Sequence, residues 1–364
     1  MKKKILHIIE STATGTLSAL SGLANSQCNE GNYVTIIYSK RPDTPKNLNE
    51  YFDPKIDLIN IQMSTPISAL NSLYKIYKLI NLFQPNYVFL ASSWAGFIGR
   101  LVGLFISKKV LFFYIPHCIS YIRKDIGIIK KFIFISLELV ASLKKSIIIA
   151  VSASELKEIQ KYIKLSPSYL VENAVSNVFL ECKSPEKKIR KIITVGGIRP
   201  QKDPESFAKI AKGVRDIDKT ILFSWIGDGD EKLKKYLLNS EVEVTGWLDP
   251  VEVKDKLLSS TLYISTAKWE GMPITILEAL ACGLPVVAFN CPGNEDIIKD
   301  KNFGLVFNTN NEAIDKILEI INDNKKINQM SIAAFDIVKN WFNYDRYNNE
   351  INNLIKKIEE NNKI

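Results

Sequence analysis

The sequence predicts two successive α/β domains, each a doubly wound parallel sheet, and three observations carry that expectation. Six β-branched or aromatic runs in the first half, KKILHII, NYVTIIYS, KIDLINIQ, QPNYVFLAS, SKKVLFFYI and KSIIIAVS, are mostly separated by helical patterns. The alternation restarts in the second half with KKIITVGGI, TILFSWIGDG, EVEVTGW, TLYIST and LPVVAF. The length, 364 residues, gives each half enough chain to bury its own core.

The elements follow in order. MKKKILHIIE begins with three lysines, but His7 and Glu10 interrupt the apolar stretch, so it reads as a first strand with a basic lead-in rather than a leader peptide. Gly15, in STATGTLSAL, supplies a glycine turn into a helix near residues 16 to 29. The first domain covers residues 1–175, with a linker in VENAVSNVFLECKSPE. The second covers 176–340. The tail, 341–364, reads as helix with an apolar stripe that includes Trp341, Phe342, Tyr344 and Tyr347. No run has the length of a spanning helix; Phe132 to Leu143 comes nearest, is short, and contains Glu138. Cys28, Cys118, Cys182, Cys282 and Cys291 are scattered without C-x-x-C spacing, which argues against a disulfide framework or a zinc site and for a reducing cytoplasm.

The net charge of +9 is unevenly placed. Residues 1–180 hold 21 Lys and Arg against 11 Asp and Glu, and the remainder is nearly neutral. Lys108, Lys109, Arg123, Lys124, Lys130, Lys131, Lys144 and Lys145 lie among Ile, Leu and Phe. Two readings stand side by side: a face for an anionic bilayer, or a solvated basic rim. No nucleic-acid motif accompanies the charge.

The densest chemical signal is WEGMPITILEALACGLPVVAF, Trp269 to Phe289. Strand-like runs flank it, so the unit is strand, loop, helix, strand, and ligands in such units sit where the helix N-terminus points free N–H groups outward. Pro273 fits the first helical turn, and Gly283 with Pro285 gives the stop. Gly271 lets the backbone approach an anion, and the N–H groups of Met272, Ile274 and Thr275 face a diphosphate. Glu278 stands about five residues into the helix, roughly 7–8 Å along its axis. A ribose lies at about that distance from its diphosphate, and a carboxylate there accepts hydrogen bonds from ribose hydroxyls. Glu270, in the loop, faces the sugar or the reacting centre. The plainer alternative is a pair of solvated glutamates near a helix start, where the dipole favours them.

Other strand ends add to the site. In ITVGGIRPQKD, Arg199 and Lys202 follow a strand and a Gly196-Gly197 turn, where two cations neutralise a diphosphate leaving group. Gly227 and Asp228 follow the strand ILFSWI as a turn, and Asp228-Gly229-Asp230 has the Asp-x-Asp pattern of a metal pair. Val244 to Trp247, with Thr245 and Gly246, border the base. His117 follows LFFYIP at a strand end, whereas His7 lies inside a strand and reads as packed.

EGMPITILEALACGLPVVAFNCPGNEDII resembles the retaining glycosyltransferases of family 4 in its E-x7-E spacing, its Gly-x-Pro-Val-Val strand and its glycine loop through Gly293 to Glu295. The resemblance implies the GT-B fold, two Rossmann-like domains facing a cleft, with the last helix crossing back to the first domain. It implies further that Glu270 lies by the transferred sugar, Glu278 by the ribose, and Arg199 and Lys202 by the diphosphate. His117 is implied to contact the donor sugar and Gly15 to lie near the donor phosphates. Family members need no metal, so the Gly227-Asp228-Gly229 turn is then a turn and no cofactor is expected beyond a nucleotide-sugar co-substrate, UDP favoured over GDP. The implied acceptor is a saccharide, in particular a lipid-linked one in capsule, lipopolysaccharide or exopolysaccharide synthesis, used by a cytoplasmic enzyme or one peripheral on the inner membrane face.

The chain departs from the family pattern in places. Many members carry the Arg directly after the first Gly, where this chain has Gly197. Ala91 and Trp94 in ASSWAGFIGR stand where His and Lys are common, so Trp94 either stacks on a sugar ring or packs in the core. Ala174 and Ser176 replace the usual Gly and Asp after Asn173. Competing classes are a sugar-nucleotide epimerase on the same fold, a decayed binding-only protein, and a dinucleotide oxidoreductase. The last requires G-x-G-x-x-G after strand one, where the chain has TATGTLSA.

Overall fold

Parallel strands need crossover connections, and the alternation of β-branched runs with helices supplies them. In the computed structural model, which describes residues 2–12, 14–63, 65–180, 189–299 and 301–361, the chain divides into two units. One comprises Met1–Asn173 with Tyr347–Ile364, the other Ala174–Arg346.

The first unit runs β1 (Lys4–Ile9), α1 (Thr14–Asn29), β2 (Tyr33–Tyr38), β3 (Asp57–Asn60), α2 (Pro66–Phe83), β4 (Tyr87–Ala91), α3 (Ser93–Gly103), β5 (Leu111–Ile115), α4 (Ile128–Ser142), β6 (Ile147–Ala150), α5 (Ala153–Tyr162) and β7 (Ser168–Leu170). Its seven parallel strands are ordered β3-β2-β1-β4-β5-β6-β7. The order reverses between β1 and β4, and a strand reversal of this kind is where open α/β sheets bind ligands. The central strands β4 and β6 are buried at every residue, as a sheet covered on both faces requires. The sequence shows only six of these strands. β7, Ser-Tyr-Leu, is an edge strand of three residues with too little apolar content to register.

The second unit runs α6 (Asn177–Leu180), β8 (Lys191–Val195), α7 (Pro204–Ile217), β9 (Leu222–Ile226), α8 (Glu231–Asn239), β10 (Glu243–Val244), α9 (Pro250–Leu258), β11 (Leu262–Ser265), α10 (Ile274–Ala281), β12 (Val286–Phe289), α11 (Pro292–Ile298), β13 (Gly304–Phe307), α12 (Asn310–Ile321) and α13 (Asn324–Asn340). The sheet order is β10-β9-β8-β11-β12-β13, all parallel, with the reversal between β8 and β11. Residues 181–188, which include the end of the expected linker stretch and Cys182, lie outside the described residues. Cys28, Cys118, Cys282 and Cys291 form no disulfide.

The tail holds one helix, as expected, set off from the helix before it. α13 ends at Asn340, and α14 (Tyr344–Asn361) begins after a break that buries Phe342. α14 turns an apolar stripe of Tyr347, Ile351, Leu354, Ile355 and Ile358 inward. It is fixed to the first unit by Glu359, whose Oε1 accepts from Lys3 Nζ and from the Tyr87 hydroxyl at 2.8 Å each.

Candidate functional site

β8 and β11 flank the reversal of the second sheet, and their carboxyl ends carry the residues the sequence points to. After β8 the chain makes a glycine turn and a short 3-10 turn over Pro200–Lys202. The Lys202 side chain runs under Gly196, where any Cβ would lie 3.1 Å from its Cε. Its ammonium reaches Glu270 Oε1 at 2.7 Å, while Gln201 Nε2 donates to the Trp269 carbonyl at 3.0 Å and to Glu270 Oε2 at 3.3 Å. Thr266 Oγ1 donates to the Lys202 carbonyl at 2.7 Å, and the Lys268 N–H to the Gln201 carbonyl at 2.9 Å. The β8 turn and the β11 loop are therefore laced together over a sequence gap of more than sixty residues.

Past that loop stands α10, whose eight residues are all buried. Pro273 is its N-cap, with φ −72° and ψ 112°, rather than a residue of its first turn. The loop arrives extended, and the helix closes immediately by an Ile276 N–H to Pro273 carbonyl bond of 3.1 Å. Ile274 and Thr275 remain at the N-terminus. The Tyr263 hydroxyl donates to Thr275 Oγ1 at 3.0 Å and ties the first turn to β11. Gly271 meets the start of α11: a Cβ at Gly293 would strike the Gly271 carbonyl at 2.6 Å and the Glu270 carbonyl at 2.7 Å, so glycine is required there.

Glu278, the fifth residue of α10, is 6% exposed, and its carboxylate accepts no hydrogen bond from any described residue. Burial pushes its carboxyl up to about 7, against the pull of the Lys202 ammonium. Lys202 thus acts on both glutamates, pairing with Glu270 directly and with Glu278 through its field. The result is a cation between two buried carboxylates beside a helix N-terminus, a polar constellation suited to an anionic ligand that also carries hydroxyl groups.

The neighbouring turns pack against this centre. A Cβ at Gly227, φ 133°, would meet the Gly196 carbonyl at 2.2 Å, and the Gly227 N–H donates to the Gly246 carbonyl at 2.9 Å. Thr245 is held by its N–H to the Trp225 carbonyl. Gly197 lies under the Trp247 ring and the Arg199 side chain, which a Cβ there would meet at 3.4 Å and 3.9 Å. Arg199 is exposed and makes no ion pair among the described residues. Asp228 and Asp230 have separate protein partners: Asp228 pairs with Lys234 at 3.0 Å, and Asp230 caps α8 by accepting from the Lys232 and Leu233 N–H groups. Among the described residues no group of three or more His, Cys, Asp or Glu side chains converges as metal ligands would.

Two predicted residues, Gly15 and His117, belong to the first unit. Gly15 is the second residue of α1, not a turn ahead of it, because the helix already starts at Thr14. His117 follows β5 with φ 55°, and Cys118 with φ 121°, both in the left-handed region. Burial lowers the His117 imidazole to about 4, so it is neutral at physiological pH. Sequence reasoning missed what holds this strained pair. Glu155, 1% exposed, accepts from the Cys118 and Ile119 N–H groups through Oε1 and from the Val151 N–H through Oε2, each at 2.9 Å. The only sequence signal for Glu155 is Ser152-x-x-Glu155, which reads as a local helix cap. Ser92, φ 86°, at the end of adjacent β4, was likewise not foreseen. Trp94 packs against the first core with its indole N–H on the Met63 carbonyl. His7 is packed as expected, bonded to Gln27 Oε1 at 2.7 Å and stacked on Phe89.

Residues 181–336 match the family of glycosyl transferases group 1. The chain is 29% identical over 269 residues to an uncharacterized 41.2 kDa protein in the cps region of Klebsiella pneumoniae, covering 70% of this chain and 74% of that one. It is 30% identical over 175 residues to the UDP-Gal:alpha-D-GlcNAc-diphosphoundecaprenol alpha-1,3-galactosyltransferase of Escherichia coli, covering 44% of this chain and 43% of the enzyme. Sucrose-phosphate synthase from Thermosynechococcus elongatus superposes with a TM-score of 0.81 at 13% identity, over 98% of this chain and all of that one. The two parallel-sheet α/β units share the fold of that synthase, and most of the second unit is similar to the group 1 glycosyl transferases.

Proposed function

We propose that this protein is a retaining, family 4 glycosyltransferase that moves a sugar from a nucleotide donor to a saccharide acceptor in the assembly of a cell-surface polysaccharide. The observation that carries the reading is Glu278: a buried carboxylate without a hydrogen-bond partner among the described residues, one and a half turns behind a helix N-terminus and next to a cation. Ribose hydroxyls at Glu278 and a diphosphate at the first turn of α10 satisfy both features at once. The UDP-Gal donor and diphosphoundecaprenol-linked acceptor named for the Escherichia coli relative support a UDP-sugar and a lipid-linked acceptor here. The epimerase alternative finds no support among the relatives.

In the proposed reaction the bond from the anomeric carbon to the diphosphate oxygen breaks while the acceptor oxygen bonds to that carbon on the same face. The acceptor proton passes to the departing diphosphate. Arg199, Lys202 and the N–H groups of Ile274 and Thr275 stabilise the charge that develops on the leaving group. Glu270 holds the Lys202 ammonium in place and faces the sugar, so no side chain acts as general base. No metal takes part in this scheme.

The test is a panel of UDP-, GDP- and ADP-sugars read by thermal stabilisation and donor hydrolysis. A UDP-sugar is expected to raise the melting temperature, Glu278→Gln to weaken its binding, and Glu270→Gln to lower turnover by about 10²-fold with binding largely kept. NMR of the product's anomeric centre checks retention. Neither glutamate variant changing binding or turnover, or a donor alone yielding a new sugar nucleotide, would overturn the proposal.

A further inference from the structure

α4 is built inside out. Ile128, Ile129, Phe132, Ile133, Leu139 and Val140 are all exposed, Ile129 at 74% and Phe132 at 63%. At 100° per residue they fall on one continuous face with only Ser136 between them. The opposite face is buried and holds Glu138, so the charge points inward and the hydrocarbon outward. Scattered exposed apolar residues are ordinary on a protein surface, whereas a contiguous helical face marks an interaction site. The surface continues at the end of α3, where Phe105 is 78% exposed and Gly103 abuts the Lys144 side chain beyond α4.

The charge around this face has one sign. Lys130 and Lys131 stand about 60° outside its two ends, on the flanks of the buried side, with Lys130 exposed and Lys131 half-buried; Arg123 and Lys124 precede the helix, and Lys145 follows it. Between Asp57 and Asp125 the chain has no acidic residue at all. Asp125 is paired with Arg123 at 2.6 Å, and Glu138 is buried against Arg100. A second copy of the chain docking here through two-fold symmetry would oppose two basic rims, which repel. No described helix is long and apolar enough to cross a membrane.

We propose that α4 is a membrane-docking element: it lies flat on an anionic phospholipid bilayer, its outer face at the headgroup–acyl boundary and its flanking lysines and Arg123 on lipid phosphates. The inference rests on the proposed transfer reaction only for its purpose, since a lipid-linked acceptor is confined to such a surface.

Flotation of the full chain with vesicles of phosphatidylglycerol and phosphatidylethanolamine, and with vesicles of phosphatidylcholine alone, tests it. The protein floats with the anionic vesicles and partitions at least about tenfold less onto the neutral ones. Ile129→Ser with Phe132→Ser, and separately Lys130→Gln with Lys131→Gln, each lower partitioning by about tenfold or more, and the lysine pair also blunts its salt dependence. All four side chains lie outside the cores and the donor site, so UDP binding and the melting temperature of both variants stay at the wild-type values. Three results overturn the proposal: wild-type protein staying in the bottom fraction with both vesicles, variants floating as the wild type does, or a vesicle-free dimer that the Ser variant dissolves. Absence of UDP binding by the wild type would strike the transfer reaction and leave the docking result standing.

Discussion

α4 in the first unit and α10 in the second each bury a glutamate, Glu138 at 3% exposure and Glu278 at 6%, but only one of them is satisfied by the protein. Glu138 accepts from Arg100 at 2.5 Å and from the Tyr114 hydroxyl at 2.9 Å, and the guanidinium also lies over the Tyr114 ring at 4.0 Å. Gly96 makes room for that ring, since a Cβ there would sit 2.1 Å from it. Glu278 has a nearby ammonium but no hydrogen bond among the described residues, and its carboxyl is pushed up to about 7. A buried carboxylate with its partners in place clamps helices together, and one without them is a cost the folded chain carries until a ligand supplies the donors. The exposed faces invert the same contrast: α10 has none, while α4 turns its apolar side out.

The largest effect is expected where the satisfied pair is broken. Arg100→Met leaves Glu138 buried without its cation and should cost about 3–5 kcal/mol of stability. Arg100→Met with Glu138→Leu removes both charges and should recover most of that loss, because the pair together adds little over a well-packed apolar substitute. Urea unfolding of the single and double variants measures both. A single-variant loss below about 1 kcal/mol would show that the pair does not hold α3 to α4.

The unsatisfied glutamate should behave in the opposite sense. With its folded pKa raised from 4.5 to about 7, the folded chain keeps a proton that the unfolded chain releases, so stability falls as pH rises through that window. The loss above pH 7 amounts to about 3 kcal/mol at most. Glu278→Gln removes the penalty, so the ligand-free variant is expected to melt higher than wild type at pH 8 and equally at pH 4. Donor affinity should move the other way, weaker by about 10–100-fold in the variant at pH 8, and in the wild type it should decline as pH falls below 7. Melting curves at the two pH values, with and without UDP, separate the effects; a variant less stable than wild type at pH 8 would assign Glu278 to the fold.

The difference between the helices also explains what was legible in the sequence. The segment around α10 could be read because strand, loop, helix and stop follow one another between Leu262 and Pro285, and the position of Glu278 follows from helix rise alone. α4 was misleading for the same local reason. Glu138 reads as an interruption of an apolar run, yet it is the inward anchor, and Arg100 stands 38 residues earlier with no periodicity linking the two. Lys202 with Glu270, 68 residues apart, and Glu155 with Cys118, 37 apart, are contacts that only the sheet order creates. β13, Gly-Leu-Val-Phe, was missed as β7 was: a four-residue edge strand opening on glycine lacks the β-branched length that marks its neighbours.

The smallest effect belongs to the outer face of α4. Ile133→Ser removes a side chain that is 51% exposed, so little apolar area returns to water and no cavity forms. Its stability should stay within about 0.5 kcal/mol of wild type in the absence of lipid, as for other surface substitutions. A face that folds equally well with serine has its isoleucine for a reason other than folding, which is the premise of the docking inference. Urea unfolding without vesicles decides the point. A loss above about 2 kcal/mol would mean that Ile133 packs against the chain itself, and the contrast between an inward-satisfied and an outward-facing helix would then fail at α4.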